Sequence, residues 1–93
     1  MFHLENKNAI ITGGGSGIGR AIAETFAKQG ATVFILELNQ SHVDDTVNAI
    51  QAAGKKAYGY ACNVADQKQV KGIFQHIIRQ TSRIDLLVNC AGI

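Results

Sequence analysis

Two features of this chain place chemically useful residue types at a meaningful spacing. The stretch Thr12-Gly13-Gly14-Gly15-Ser16-Gly17-Ile18-Gly19 holds five glycines between a short apolar run and an amphipathic one. Glycines there let the backbone turn sharply and approach a ligand with no Cβ in the way. A helix opening on such a turn offers unpaired N–H groups and the positive end of its dipole, a seat for a pyrophosphate. The spacing Gly13-x-x-x-Gly17-x-Gly19 differs from GxGxxG, and it lacks the Gly-Lys-Ser/Thr ending of a P-loop. The second feature is Glu37, which follows an apolar run 18 residues beyond Gly19. An acid close to that place accepts hydrogen bonds from the ribose hydroxyls of an adenosine. Taken singly, the two features are also compatible with a tight turn that binds nothing and a solvated residue at a strand end.

The elements around these residues alternate between short β-type runs and amphipathic helices. Ala9-Ile10-Ile11 reads as a strand, and Arg20 to Gln29 as a helix with Ile22 and Phe26 one turn apart beside small Ala23 and Ala27. Gly30 stands where a left-handed helix terminator is wanted. Thr32-Val33-Phe34-Ile35-Leu36 is apolar at nearly every position, the pattern of a strand buried on both faces. A second helix is predicted from Ser41 to Ala53, with Ser41 and Asp44 as capping pair and Val43, Val47 and Ile50 inward. Ala57 to Cys62 reads as a third strand, weakened by Gly59. Asp66 is a candidate N-cap, with Gln69 three residues on, for a third helix presenting Val70, Ile73, Phe74 and Ile77. Ile84 to Asn89 is the fourth strand.

Strands joined by helix-length crossovers are parallel, and right-handed crossovers give a doubly wound α/β sheet of Rossmann type with order 3-2-1-4 for this part. Handedness also puts the first two helices on one face and the third alone on the other. Cys62 and Cys90 then follow strands at opposite edges of the sheet, so no disulfide between them is expected.

Composition narrows the function classes. The 93 residues carry 46% hydrophobic and 17% charged residues with a formal charge of +2, and Lys55-Lys56 is the one adjacent basic pair. That balance argues against nucleic acid and against a membrane partner. The N-terminus shows no signal-peptide core, which points to the cytoplasm. The two cysteines form no CxxC, and His3, His42 and His76 lack ligand-spaced companions, so no metal site is expected.

Thr12-Gly13-x-x-x-Gly17-Ile18-Gly19 followed by Leu87-Val88-Asn89-Cys90-Ala91-Gly92, with Asn63-Val64 between, resembles the short-chain dehydrogenase/reductase family over essentially the whole chain. The resemblance implies that Gly13, Ser16, Gly17, Ile18 and Gly19 lie along the pyrophosphate and nicotinamide side of a dinucleotide. It places Asn63 and Val64 beside the adenine, and Asn89, Ala91 and Gly92 beneath the adjacent ribose. Two positions depart from the family pattern. Asn63 stands for the usual aspartate, and Cys90 for the usual second asparagine, whose hydrogen bond between neighbouring strands is then in question. Glu37 would repel a 2′-phosphate, and neither Ser16 nor Leu38 is basic, so NAD is expected over NADP.

The family resemblance further implies an oxidoreductase that interconverts an alcohol and a carbonyl by hydride transfer, using a tyrosine, a lysine four residues later and a serine. Here Tyr58 is followed at that spacing by Cys62, and Tyr60 by Val64. Both tyrosines read instead as strand residues packing a sheet face. No residue of this chain is assigned to catalysis; residues 1–93 are expected to be the cofactor-binding portion of a longer domain, homo-oligomeric when complete. A non-catalytic dinucleotide-binding module is the main rival reading. A methyltransferase is a third, disfavoured by the Asn89-x-Ala91-Gly92 motif.

Overall fold

The computed structural model describes residues 3–13 and 17–90. Four strands and three helices alternate: β1 (Asn8–Thr12), α1 (Gly17–Lys28), β2 (Thr32–Glu37), α2 (Gln40–Ala52), β3 (Ala57–Ala61), α3 (Gln67–Thr81) and β4 (Leu86–Asn89). The strands form one sheet in the order β3-β2-β1-β4, every pair parallel, as the crossover argument requires.

Period-two alternation sorts the strand residues between two cores. Ala9, Ile11, Val33, Ile35 and Ala57 pack with Ala23 and Ala27 of α1 and Ile50 of α2. Ile10, Phe34, Leu36 and Cys62 pack on the other face with Ile77 of α3. The central strands β1 and β2 are therefore apolar at successive positions because each successive side chain meets a different helix layer. Leu87 of β4 remains 57% exposed, since α3 alone covers that face.

Local chemistry explains most element ends, with two revisions. α1 begins at Gly17 rather than Arg20, since its first turn is built from glycines whose poor helix propensity conceals it. It closes as expected: Gly30 has φ +101°, and the Ala31 N–H reaches back to the Phe26 carbonyl at 3.1 Å. The cap of α2 is Asn39, not Ser41 with Asp44. Asn39 Oδ1 accepts from the N–H groups of Ser41 at 2.9 Å and His42 at 3.2 Å, so the helix starts at Gln40. Asp66 caps α3 through Oδ1 to the N–H groups of Lys68 and Gln69, with the Gln69 amide returning to Oδ2 at 3.1 Å.

Packing in α1 inverts the expected emphasis. Ala23 and Ala27 lie fully against the sheet, while Ile22 and Phe26 sit at the margin, half-buried. The small residues set the closest approach of helix to sheet, and the large ones fill its flanks. Gly59 has a comparable origin. A Cβ there would collide with Val43 Cγ1 and come within 2.9 Å of Val47 Cγ2, so β3 carries a glycine because α2 presses on it.

Both tyrosines pack a sheet face. Tyr58 stacks on Phe34 with ring centroids 5.4 Å apart, and Tyr60 meets His76 edge-on at 5.9 Å. Cys62 and Cys90 are both free and buried, one in each core, at opposite edges of the sheet.

Candidate dinucleotide site

Parallel pairing brings four strand ends to one edge. Thr12 pairs with Leu36 on one side and Asn89 on the other, and Glu37 pairs with Ala61. The ladder continues one residue past β1, β3 and β4: Gly13 N–H to Leu36 O at 2.7 Å, Cys62 N–H to Glu37 O at 3.0 Å, and Cys90 N–H to Thr12 O at 2.9 Å. The crevice beyond these ends, between β1 and β4 where the order of winding reverses, is the topological switch point at which open α/β sheets take ligands.

Gly13 and Gly17 flank the turn with φ of +73° and +56°, a left-handed backbone that favours glycine. A Cβ on Gly17 would meet nothing within 4 Å, so its positive φ rather than crowding is what favours glycine there. Ile18, in the first turn of α1, is 57% exposed, whereas Gly19 is buried against the sheet. Ser16, Ala91 and Gly92 lie outside the described residues.

Glu37 closes β2 at this edge with its side chain 17% exposed. Its Oε2 accepts the Asn39 N–H at 2.5 Å, and its Oε1 lies 3.9 Å from His42 Nδ1. Leu38, the next residue, is 70% exposed and carries no charge. The carboxylate also bears on Cys62: burial first, and the Glu37 charge second, push that thiol above the usual cysteine range.

Asn63 follows β3. Its Oδ1 accepts the Ala65 N–H at 3.0 Å, and its own N–H donates to Gln69 Oε1 at 3.1 Å, which fixes the turn into α3. Val64 is half-buried against the α3 core rather than standing free at the strand edge. Asn89 accepts the Thr12 hydroxyl on Oδ1 at 2.9 Å. Cys90, which replaces the family's usual asparagine, turns its thiol into the apolar core, and the adjoining strands are held by its backbone N–H and by the Thr12–Asn89 pair.

Three residues at this edge carry no site role in the sequence reading. Thr12 heads the glycine motif there, at the end of an apolar run ahead of a glycine, without a role of its own. Asn39, two residues before Ser41, has the spacing of a side-chain cap. Nothing local marks His42, which reaches Glu37 only because α2 folds back from the end of β2.

Comparison with known proteins agrees with this architecture. The chain matches the family described as short chain dehydrogenase over residues 7–93. The chain belongs to that family. It is 42% identical over 93 residues to an uncharacterized oxidoreductase of Bacillus subtilis (strain 168), covering 100% of this chain and 34% of the relative. It is 39% identical over 90 residues to a 3-oxoacyl-[acyl-carrier-protein] reductase of Thermotoga maritima, covering 97% and 37%. The crystal structure of a hydroxysteroid dehydrogenase from Escherichia coli superposes with a TM-score of 0.89 at 36% identity, over 94% of this chain and 37% of that one. The chain thus spans little more than a third of the length of these short-chain dehydrogenase relatives. Family membership implies a nicotinamide dinucleotide as cofactor. Among the described residues, no helix is long and apolar enough to cross a membrane, and no group of three metal-ligating side chains occurs.

Proposed function

We propose that this protein is an NAD-dependent oxidoreductase interconverting an alcohol and a carbonyl, and that this chain supplies the dinucleotide-binding part. The observation that carries the reading is the Glu37 carboxylate, held by the Asn39 N–H at the carboxyl end of β2 beside uncharged, exposed Leu38. The residues present suit the cofactor. Gly13, Ser16, Gly17, Ile18 and Gly19 would seat the pyrophosphate on bare backbone amides at the positive end of α1. Glu37 would accept the adenosine ribose hydroxyls, Asn63 and Val64 would border the adenine, and Asn89, Ala91 and Gly92 would support the other ribose. Exposed Ile18 and Leu38 would be covered by the ligand.

The nicotinamide ring supplies hydride exchange at C4 when bound. Proton transfer to or from substrate falls to serine, tyrosine and lysine groups in the part of the family's length that this chain does not span. Homo-oligomeric assembly rests on the family resemblance, and a cytoplasmic location is proposed with it. Relatives named as reductases and dehydrogenases favour an enzyme over a non-catalytic binding module.

Charge supports NAD over NADP. Two unit charges about 4 Å apart near a protein surface repel by roughly 4 kcal/mol at an effective dielectric of about 20. A 2′-phosphate beside Glu37 would meet repulsion of that kind, and neither Ser16 nor Leu38 is basic. Titrating the full-length protein with NADH and NADPH, followed by nicotinamide fluorescence, tests this. NADH is expected to bind more tightly, and Glu37→Gln to weaken NADH about tenfold or more. Tighter NADPH binding by the unaltered protein would sink the reading.

A further inference from the structure

Among the described residues, one buried side-chain nitrogen or oxygen makes no hydrogen bond, and it is His42 Nδ1. Native proteins rarely leave such an atom unpaired, and those that do so tend to use it. The ring is 43% exposed as a whole, yet this nitrogen is shut from solvent and lies 3.9 Å from Glu37 Oε1. Two facing lone pairs would repel, so the favoured tautomer carries its proton on Nδ1, directed at the carboxylate. The separation exceeds hydrogen-bond length, and a small rotation of either side chain closes it.

We propose that His42 is a positioning residue that holds the Glu37 carboxylate as the acceptor for the adenosine ribose hydroxyls. The inference rests on the ribose role proposed for Glu37. An ionised carboxylate has about four acceptor positions. The Asn39 N–H takes one on Oε2, and His42 Nδ1–H takes one on Oε1 as the site fills. Two remain, which matches a pair of vicinal hydroxyls. Asn39 and His42 both belong to the opening of α2, so one helix terminus carries the whole support of the acid.

The test measures NADH affinity in the full-length protein for five forms: unaltered, Glu37→Gln, His42→Leu, His42→Asn and the double variant Glu37→Gln/His42→Leu. His42→Leu should weaken NADH about three- to tenfold, the size of one lost hydrogen bond. His42→Asn, whose amide can stand where Nδ1–H was, should restore most of it. The double variant should bind no more weakly than Glu37→Gln alone. Nitrogen NMR of the unaltered protein reads the same contact with no substitution at His42: added NADH should move Nδ1 to a hydrogen-bonded N–H shift. Unchanged affinity in His42→Leu, failure of His42→Asn to rescue, additive losses in the double variant, or an unmoved Nδ1 signal would each overturn the proposal for His42. If Glu37→Gln itself leaves NADH binding unchanged, the ribose reading falls first and this inference with it.

Discussion

The Thr12 hydroxyl donates to Asn89 Oδ1 at 2.9 Å, joining residues 77 positions apart across the ends of β1 and β4. Thr12 is 8% exposed, so its hydroxyl is withdrawn from water and relies on Asn89 Oδ1, with the Val88 carbonyl a second, longer acceptor at 3.5 Å. The bond sits at the switch point of the sheet and sets the side chain of a proposed cofactor residue. Thr12→Val keeps the shape and removes the donor. It should lower stability by about 1 kcal/mol in urea melts and also weaken NADH binding. Loss of stability with full NADH affinity would separate Asn89 from the site.

Glycine-to-alanine changes at two positions should have opposite signs. At Gly59 the added Cβ strikes Val43 and Val47, whose branched side chains have little freedom on a helix. Gly59→Ala should cost about 1–3 kcal/mol. At Gly72, inside α3, a Cβ meets nothing within 4 Å. Gly72→Ala should stabilise by up to about 1 kcal/mol through helix propensity. Denaturant midpoints of the two variants check both signs at once.

Acid should loosen the join at the other end of β1 and β4. Asp85 Oδ2 accepts the Asn8 N–H at 2.8 Å, and Arg83 Nε lies 3.0 Å from Oδ1. The Asn8 hydrogen bond first, then Arg83, hold this carboxyl below the usual aspartate range. A carboxyl lowered on folding contributes stability above its unfolded value, near pH 4, and loses that contribution as pH falls through the lower folded value. Asp85→Asn should therefore flatten the fall of the thermal midpoint between about pH 5 and pH 2. An unaltered acid profile would show that the clasp carries no linkage.

The thiols offer a check on topology. Cys62 and Cys90 are 6% and 7% exposed in separate cores, and burial with the Glu37 charge raises the Cys62 thiol. Iodoacetamide at neutral pH should label the native protein slowly at both positions, since the thiolate is the reactive form. Unfolding without reductant should release both for alkylation, read by mass. A species that resists alkylation until reduced would contradict the opposite-edge placement.

Much of the fold was legible before any coordinates. The runs Ala9–Ile11 and Thr32–Leu36, each followed by an amphipathic stretch, imply parallel strands with helical crossovers, and handedness turns that into the order 3-2-1-4 and the two-against-one division of helices. Gly30 and Asp66 announced helix ends because a terminator and a cap act on backbone a few residues away. Gly13 and Glu37 fall at one edge for a related reason: each ends or follows an apolar run, and parallel strands end at the same edge of the sheet. α2's start was misjudged because Ser41 and Asn39 are both good caps, and the chain's direction on leaving β2 selects between them.

What the sequence by itself determined is the set of locally enforced choices: which segments extend, which coil, where they stop, and that Gly13 and Glu37 stand at the same edge of the sheet. Tertiary structure alone decided that Thr12 would meet Asn89, that His42 would face Glu37, that alanines rather than Ile22 and Phe26 would hold α1 to the sheet, and that Gly59 would lie beneath Val43. The division has a simple physical cause. Backbone preference and capping act over a few bonds, whereas these contacts form through space, after register and helix position have been set by the packing of two apolar layers.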